Sequence, residues 1–230
     1  MTGNLIVALD VDTRRQAERL VERLDGAADF FKIGYQLFYG GDGLALGREL
    51  AAAKKRVFFD LKLLDIDNTV EKGAGAIAGT GATFLTVHAY PGALRAARRA
   101  TEGSDLGILG VTVLTSMDEA DLREAGYDSD IPSLVSLRVQ EAREIGVAGI
   151  VCSPREAQLA RSVAGPKLAI VTPGVRPAGS EAGDQKRMMT PTMALEAGAT
   201  HLVVGRPITA AQDPGEAARR ILDEMAGRAG

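Results

Sequence analysis

Asp60-Leu61-Lys62-Leu63-Leu64-Asp65 holds three ionisable side chains in six positions, directly after the apolar pair Phe58-Phe59. On an extended chain, residues two apart face the same way and lie roughly 7 Å apart. Asp60 and Lys62 would therefore point together to one side of a strand, and Leu61 and Leu63 to the other. Lys32 stands inside a second apolar run, Phe30-Phe31-Lys32-Ile33, where a lysine is costly to bury unless it is paired. A Lys32–Asp60–Lys62–Asp65 array alternates in sign and is nearly neutral, so it can be partly buried with each charge partnered. A single Asp–Lys salt bridge would be structural. A further lysine and a further aspartate beside it suggest a site for acid–base and electrostatic chemistry.

Eight short apolar runs must position these groups: 5–9, 30–33, 57–61, 84–87, 108–114, 148–151, 168–171 and 201–204. They are short, β-branched or aromatic, and bounded by polar or Gly/Pro residues, so they read as strands. Amphipathic stretches lie between them. Helices are expected over 14–24, 134–145 (Leu134, Leu137, Ala142 and Ile145 on one face) and 216–225. Asn68-x-x-Glu71 reads as a capping box that opens the third helix. Strict alternation implies a parallel sheet covered by helices, and eight repeats imply an α/β fold of the (β/α)8, or TIM, barrel type. No linker or composition shift divides residues 1–230, so one domain is expected. An open doubly wound sheet is the competing arrangement, but no G-x-G-x-x-G follows the first strand. Catalytic groups of such barrels project from the C-terminal strand ends. Here those ends carry Asp10, Lys32, Asp60, Lys62, His88, Thr115, Ser153, Arg176 and Arg206. Two long loops are expected, at 115–132 and 173–191, the second after strand seven, where barrels commonly bind phosphate.

Composition excludes several classes. The 230 residues are 46% hydrophobic and 25% charged, which is ordinary globular chemistry. The net charge of −3 gives no global case for binding nucleic acid or membrane. The single cysteine, Cys152, excludes an internal disulfide, and two histidines leave little for a zinc centre. The short apolar start lacks a basic leader, and no apolar run reaches ~18 residues. A cytoplasmic protein is expected. Cys152 reads as a buried small hydrophobe, His201 as a packing or capping residue, and His88 as a partnered structural histidine. The Arg95/Arg98/Arg99 run reads as a solvated helix face.

Asp60-x-Lys62-x-x-Asp65-Ile66-x-Asn68-Thr69 resembles the signature of the orotidine 5′-phosphate decarboxylase family. So do Ala8-Leu9-Asp10, Lys32-Ile33-Gly34, Val87-His88-Ala89 and Val113-Leu114-Thr115-Ser116-Met117. Further on, Thr172-Pro173-Gly174-Val175-Arg176-Pro177, Gly183-Asp184-Gln185 and Val204-Gly205-Arg206-Pro207-Ile208-Thr209 are also similar. The resemblance runs in order from Asn4 to the last helix. Val151-Cys152-Ser153 matches more weakly, and Tyr90-Pro91 departs from the small residues common in the family.

The resemblance implies decarboxylation of orotidine 5′-monophosphate to uridine 5′-monophosphate, in pyrimidine synthesis, without metal or organic cofactor. It implies Lys62 as the cation beside a C6 carbanion and as its proton donor, with Asp60 near the substrate carboxylate. Lys32 would link Asp60 to a ribose hydroxyl, and Asp10 would accept from ribose hydroxyls. Thr115 or Ser116 would meet the pyrimidine edge. Arg176, Gln185, Arg206 and the Gly205 N–H would hold the phosphate. Asp65 and Thr69 would be lent to the other subunit's site, making a homodimer the active unit. The nearest rivals are metal-dependent sugar-phosphate barrels with an acidic residue where Lys32 stands. A pentulose-phosphate epimerase would need a histidine set, and a non-catalytic nucleotide-binding barrel would not need the intact Asp60, Lys62 and Asp65.

Overall fold

The computed structural model describes residues 3–177 and 189–227. Eight strands form a closed barrel: β1 (Asn4–Ala8), β2 (Phe30–Gly34), β3 (Arg56–Leu63), β4 (Phe84–His88), β5 (Gly107–Val111), β6 (Gly149–Val151), β7 (Ala169–Pro173) and β8 (His201–Val204). Each pairs in parallel with its neighbour, and β1 closes the ring by pairing with both β2 and β8. The helices are α1 (Arg14–Arg23), α2 (Tyr35–Gly40), α3 (Gly43–Ala52), α4 (Asp67–Ala78), α5 (Pro91–Ala100), α6 (Glu119–Glu124), α7 (Ile131–Ile145), α8 (Ala157–Ala164), α9 (Pro191–Glu196), α10 (Arg206–Thr209) and α11 (Pro214–Met225). Among the described residues, no helix is long and apolar enough to cross a membrane.

Alternation along the strands builds two apolar layers. Ile6, Ala8, Phe30, Phe58, Leu109, Val171 and Val203 pack together inside the barrel. Val7, Phe31, Ile33, Phe59 and Leu61 face outward into the larger core under the helices. The outer packing is tight around the strand that carries the charges. A Cβ on Gly47 of α3 would fall 2.2 Å from Phe59 Cζ, so only glycine lets this helix lie on β3.

The eight expected strands are all present, but some boundaries and local devices differ. The expected run 108–114 stops as a strand at Val111. The expected loop 115–132 contains α6, which Asp118 caps through a reciprocal box with Asp121, and α7 already begins at Ile131. Asn68-x-x-Glu71 is not a capping box, because the helix starts two residues earlier than that box requires, with Ile66 as N-cap and no side-chain cap. Asp67 instead brings a carboxylate to the first turn, where the helix dipole favours it. On α7, Leu137 is exposed and the buried face is Leu134, Val135, Arg138, Val139 and Ala142.

Candidate active site

Lys32 of β2 is only 8% exposed, and its Nζ lies 2.9 Å from Asp10 Oδ1 and 3.4 Å from Asp60 Oδ2. Lys62 Nζ lies 2.7 Å from Asp60 Oδ1. The charges thus run Asp10–Lys32–Asp60–Lys62 across the ends of three neighbouring strands. Asp10 takes the place expected for Asp65, because the β1–β2 register sets Ala8 beside Lys32 and carries the end of β1 over it. Gly34 clears the space: a Cβ there would fall 2.9 Å from Lys32 Nζ and 3.2 Å from Asp10 Oδ1. Asp65 is exposed, and its carboxylate accepts from the Ile66 N–H at 2.6 Å. Thr69 is exposed in the first turn of α4.

Burial disfavours the charges of Lys32 and Asp60, and their neighbours reverse the effect. Burial pulls the Lys32 ammonium down, but the Asp60 and Asp10 carboxylates more than offset it and leave Lys32 above the ordinary lysine value. Burial pushes Asp60 up, while Lys32 and Lys62 draw it below the ordinary carboxylate value. The chain conformation is also special. Lys62 adopts φ 41°, in the left-handed region that non-glycine residues rarely enter. Such a residue costs about 1–3 kcal/mol and persists only where its surroundings impose it. Tyr35 helps to hold this end of β3, since its hydroxyl donates to the Leu61 carbonyl at 2.9 Å and its ring lies 5.7 Å from Lys62 Nζ.

A cavity of about 430 Å³ opens over the array, within the size range of small-ligand sites. Asp10, Lys32, Asp60 and Lys62 line one side, and Ala8, Phe58, Val151 and Val203 give it an apolar floor. Thr115, Arg176, Gly205 and Arg206 line the rest, together with Gly174 and Thr209. Thr115 reaches the cavity lining and Ser116, next in the same turn, does not. Arg176 is buried, and its N–H donates to the Met189 carbonyl at 3.1 Å. Arg206 opens the single turn of α10 with Gly205 as N-cap. Asp65 and Thr69 do not line this chain's own cavity. Gln185 lies outside the described residues.

The other polar candidates sort themselves by contact. His88 is half-buried at the end of β4, and its imidazole has no hydrogen bond among the described residues, so it is not the partnered histidine expected. Burial, then the nearby cations Arg138 and Lys62, lower its basicity. His201 packs edge-on against Phe30 and Phe84 and shares a 2.8 Å hydrogen bond with Thr200 Oγ1, as a structural histidine should. Cys152 is fully buried and burial pushes its thiol up, which makes it a poor nucleophile. Arg98 and Arg99 lie on the helix surface, Arg99 paired with Glu71 at 2.9 Å.

Two residues near the site escaped the sequence reading. Thr86 is fully buried on β4, donates to Asp60 Oδ1 at 3.0 Å and accepts from the Lys62 N–H at 2.9 Å. Its signal was a polar side chain at an inward position between Phe84 and His88. Arg138 is buried under the turn after β5, where it donates to the Thr112 carbonyl and to Tyr127 Oη. Its guanidinium lies 5.1 Å from the Tyr90 ring, so the Tyr90 departure has a packing partner. An arginine on the apolar face of a helix was the available sign.

Known proteins match this chain along almost its full length. The profile of the orotidine 5′-phosphate decarboxylase / HUMPS family matches residues 3–221. An orotidine 5′-phosphate decarboxylase of Methylobacterium sp. (strain 4-46) is 58% identical over 225 residues, covering 96% of this chain and 95% of that one. The crystal structure of orotidine 5′-phosphate decarboxylase from Lactobacillus acidophilus superimposes with a TM-score of 0.86 at 36% identity, covering 97% and 99% of the two chains. That from Pyrococcus horikoshii OT3 gives a TM-score of 0.78 at 26% identity, with coverage of 97% and 99%. With the barrel, its charged mouth and these matches in agreement, the chain belongs to the orotidine 5′-phosphate decarboxylase / HUMPS family.

Proposed function

We propose that this protein decarboxylates orotidine 5′-monophosphate to uridine 5′-monophosphate, serving pyrimidine synthesis. The observation that carries the reading is the Asp10–Lys32–Asp60–Lys62 array on the wall of a cavity that Arg176, Gly205 and Arg206 also line. The bond from C6 to the carboxylate carbon breaks, and its electron pair stays on C6 as carbon dioxide leaves. That pair lies in the plane of the ring and is poorly delocalised, so a fixed cation must stabilise it. Lys62 supplies the cation, then passes a proton from Nζ to C6 and regains one from solvent. Asp60 sits near the departing carboxylate and disfavours the ground state. The alternating charges make the ammonium pre-oriented rather than recruited during the reaction.

The rest of the cavity divides the substrate between its walls. Asp10 and Lys32 take the ribose hydroxyls. Thr115 takes the pyrimidine edge, with Ser116 next to it in the turn. Arg176, Gln185, Arg206 and the Gly205 N–H take the phosphate, where the planar guanidinium fork suits its oxygens. Phosphate lies far from C6, so its binding energy can organise the site rather than merely retain substrate. The Lys32 ammonium occupies the position between Asp10 and Asp60 that a divalent cation would need, which favours this reaction over metal-dependent sugar-phosphate chemistry.

The working unit in this reading is a cytoplasmic homodimer with shared sites. Asp65 and Thr69 reach the partner's cavity, and the exposed Leu64 and Ile66 beside them give a partner apolar surface to cover. The test is to mix the protein, after exhaustive EDTA treatment, with orotidine 5′-monophosphate and follow ultraviolet absorbance. Conversion to uridine 5′-monophosphate without added cofactor is expected. Activity lost to the chelator and restored by magnesium would favour the metal-dependent rival.

A further inference from the structure

We propose that Thr86 is a positioning residue, whose hydroxyl locks the Asp60 carboxylate and the bent end of β3 so that Lys62 Nζ is aimed at the reacting carbon. The inference rests on the decarboxylase reading above and goes beyond it, since Thr86 is not among the residues that line the cavity and would act through Asp60 and Lys62.

The local backbone explains why such a lock is needed. β3 and β4 pair at Phe59 with Leu85 and next at Leu63 with Val87. Between these pairs β3 has Asp60, Leu61 and Lys62, while β4 has only Thr86. The ladder is interrupted there, as at a bulge, and bulges re-aim side chains. Lys62 N–H loses a regular strand partner and is received by Thr86 Oγ1 at 2.9 Å. The same oxygen donates its proton to Asp60 Oδ1 at 3.0 Å. Asp60 Oδ1 also accepts from Lys62 Nζ at 2.7 Å. Thr86, Asp60 and Lys62 therefore close a ring of three hydrogen bonds around the left-handed residue. The carboxylate cannot rotate without breaking contacts on both oxygens, since Oδ2 faces Lys32 at 3.4 Å.

Other buried threonines show what an ordinary buried hydroxyl does in this fold. Thr80 donates to the Ile77 carbonyl, Thr101 to that of Ala97 and Thr112 to that of Val151. Each satisfies its own hydroxyl on nearby backbone. Thr86 instead spends its one proton on an ionised carboxylate in the charge array, a stronger and more directional bond. Removing it leaves the half-buried Lys62 N–H and one face of Asp60 without their partner.

The decisive variant is Thr86→Val, which keeps the shape and removes the hydroxyl. Turnover, KM and uridine 5′-monophosphate affinity by calorimetry are measured beside Thr86→Ser. Misplacing a catalytic group by about 1 Å can cost about 100-fold, so Thr86→Val is expected to lower kcat by about that factor. KM and nucleotide affinity should stay within about threefold, because the ribose and phosphate contacts are untouched. Thr86→Ser restores the hydroxyl and should recover most of kcat. Should the valine variant not fold, Thr86→Cys replaces it, since a thiol has similar size but is a weak donor, and the same split is required. A wild-type kcat in either variant would overturn the proposal. So would a loss of nucleotide affinity as large as the loss of kcat, or a serine variant no better than valine. A wild-type protein that does not turn over orotidine 5′-monophosphate would instead bring down the decarboxylase reading, and this inference with it.

Discussion

At the N-terminal end of the barrel, the Arg56 guanidinium lies 4.5 Å from the Phe30 ring centroid and donates to Asn4 Oδ1 and Asp29 Oδ1. His201 sits beside it, edge-on to Phe30 and Phe84. At the C-terminal end, beyond the apolar layer of Phe58 and Ala8, Lys32 and Lys62 alternate with Asp10 and Asp60. Both ends place titratable groups against the same apolar interior. At the lower end burial and the neighbouring Arg56 cation act in the same direction, so His201 is held neutral, with its pKa lowered to about 4. At the upper end burial and neighbours act against each other, and the neighbours win, so Lys32 and Asp60 are held charged. What separates a structural end from a reactive one is thus the sign of the nearest charge, with burial common to both. This agrees with the general division of such barrels into a stability face and a catalytic face.

The strongest way to break this contrast is to remove the cation that is asked to do chemistry. Lys62→Ala should fold, since its neighbours remain satisfied by Lys32 and Thr86, and should lose turnover by many orders of magnitude. Lys62 supplies both charge stabilisation and the proton, and each ~1.4 kcal/mol lost is tenfold in rate. Circular dichroism and a melting curve check the fold, and the ultraviolet assay checks turnover. A folded variant with near-normal turnover would remove the upper end's claim to chemistry.

Lys32→Met tests whether the array is a balance of charges. It leaves Asp10 and Asp60 facing each other with no cation between them. Breaking a buried ion pair from one side costs about 3–5 kcal/mol, so a fall in stability should accompany the loss of activity. The pH dependence gives the sign. Lys32 is raised in the folded state, so its contribution is complete below the ordinary lysine value of 10.5 and is lost as pH rises through the folded value. Asp60 is lowered, so its contribution is present above the ordinary 3.8 and is lost as pH falls through the folded value. Wild type and Lys32→Met should therefore differ most between those limits. Equal stability of the two proteins at pH 7 in urea unfolding would show that the pairing adds nothing.

Much of this contrast was legible in the chain, for reasons that particular residues make clear. A lysine inside Phe30-Phe31-Lys32-Ile33 points to a paired core charge, because burying it without a partner is costly. Asp60 and Lys62 share a face by period two alone. Asp10 as the fourth member was not legible, because chain proximity pointed to Asp65, and only the β1–β2 register brings Asp10 across. Thr86 was hidden for the same reason: its role depends on a two-residue mismatch between β3 and β4 that no local pattern encodes. The false capping box at Asn68 failed because the helix begins at Asp67 with Ile66 as N-cap, so that Asn68 already lies inside the first turn and cannot cap it.

The two ends should also differ in whether a second chain completes them. Mixing Asp65→Ala subunits with Lys62→Ala subunits regenerates one native site in each heterodimer if Asp65 acts in the partner's cavity. The opposite site carries both defects. Random exchange makes half of the dimers heterodimers, so roughly a quarter of wild-type sites should reappear. Subunit exchange shown by a tagged partner, with no recovered turnover, would mean that each barrel uses its own Asp65.

The smallest effect on activity, and the cleanest on stability, belongs to the lower end. His201 titrates near 6.5 when unfolded and is lowered to about 4 in the folded chain, first by burial and then by Arg56. Between those values the unfolded chain binds a proton that the folded chain refuses, so stability falls as pH drops. From pH 7 to pH 5 this group should cost wild type about 2 kcal/mol. His201→Leu removes the titration while filling similar space, and Thr200 Oγ1 keeps its bonds to the N–H and carbonyl of Ile170. Urea unfolding at the two pH values should then show the variant gaining on wild type by about that amount. Turnover at pH 7 should be unchanged, because the Phe30 and Phe58 layer separates His201 from the cavity. A constant stability gap from pH 7 to pH 5 would mean that His201 titrates alike in both states, and that Arg56 and the aromatic edges do not discriminate against its charge.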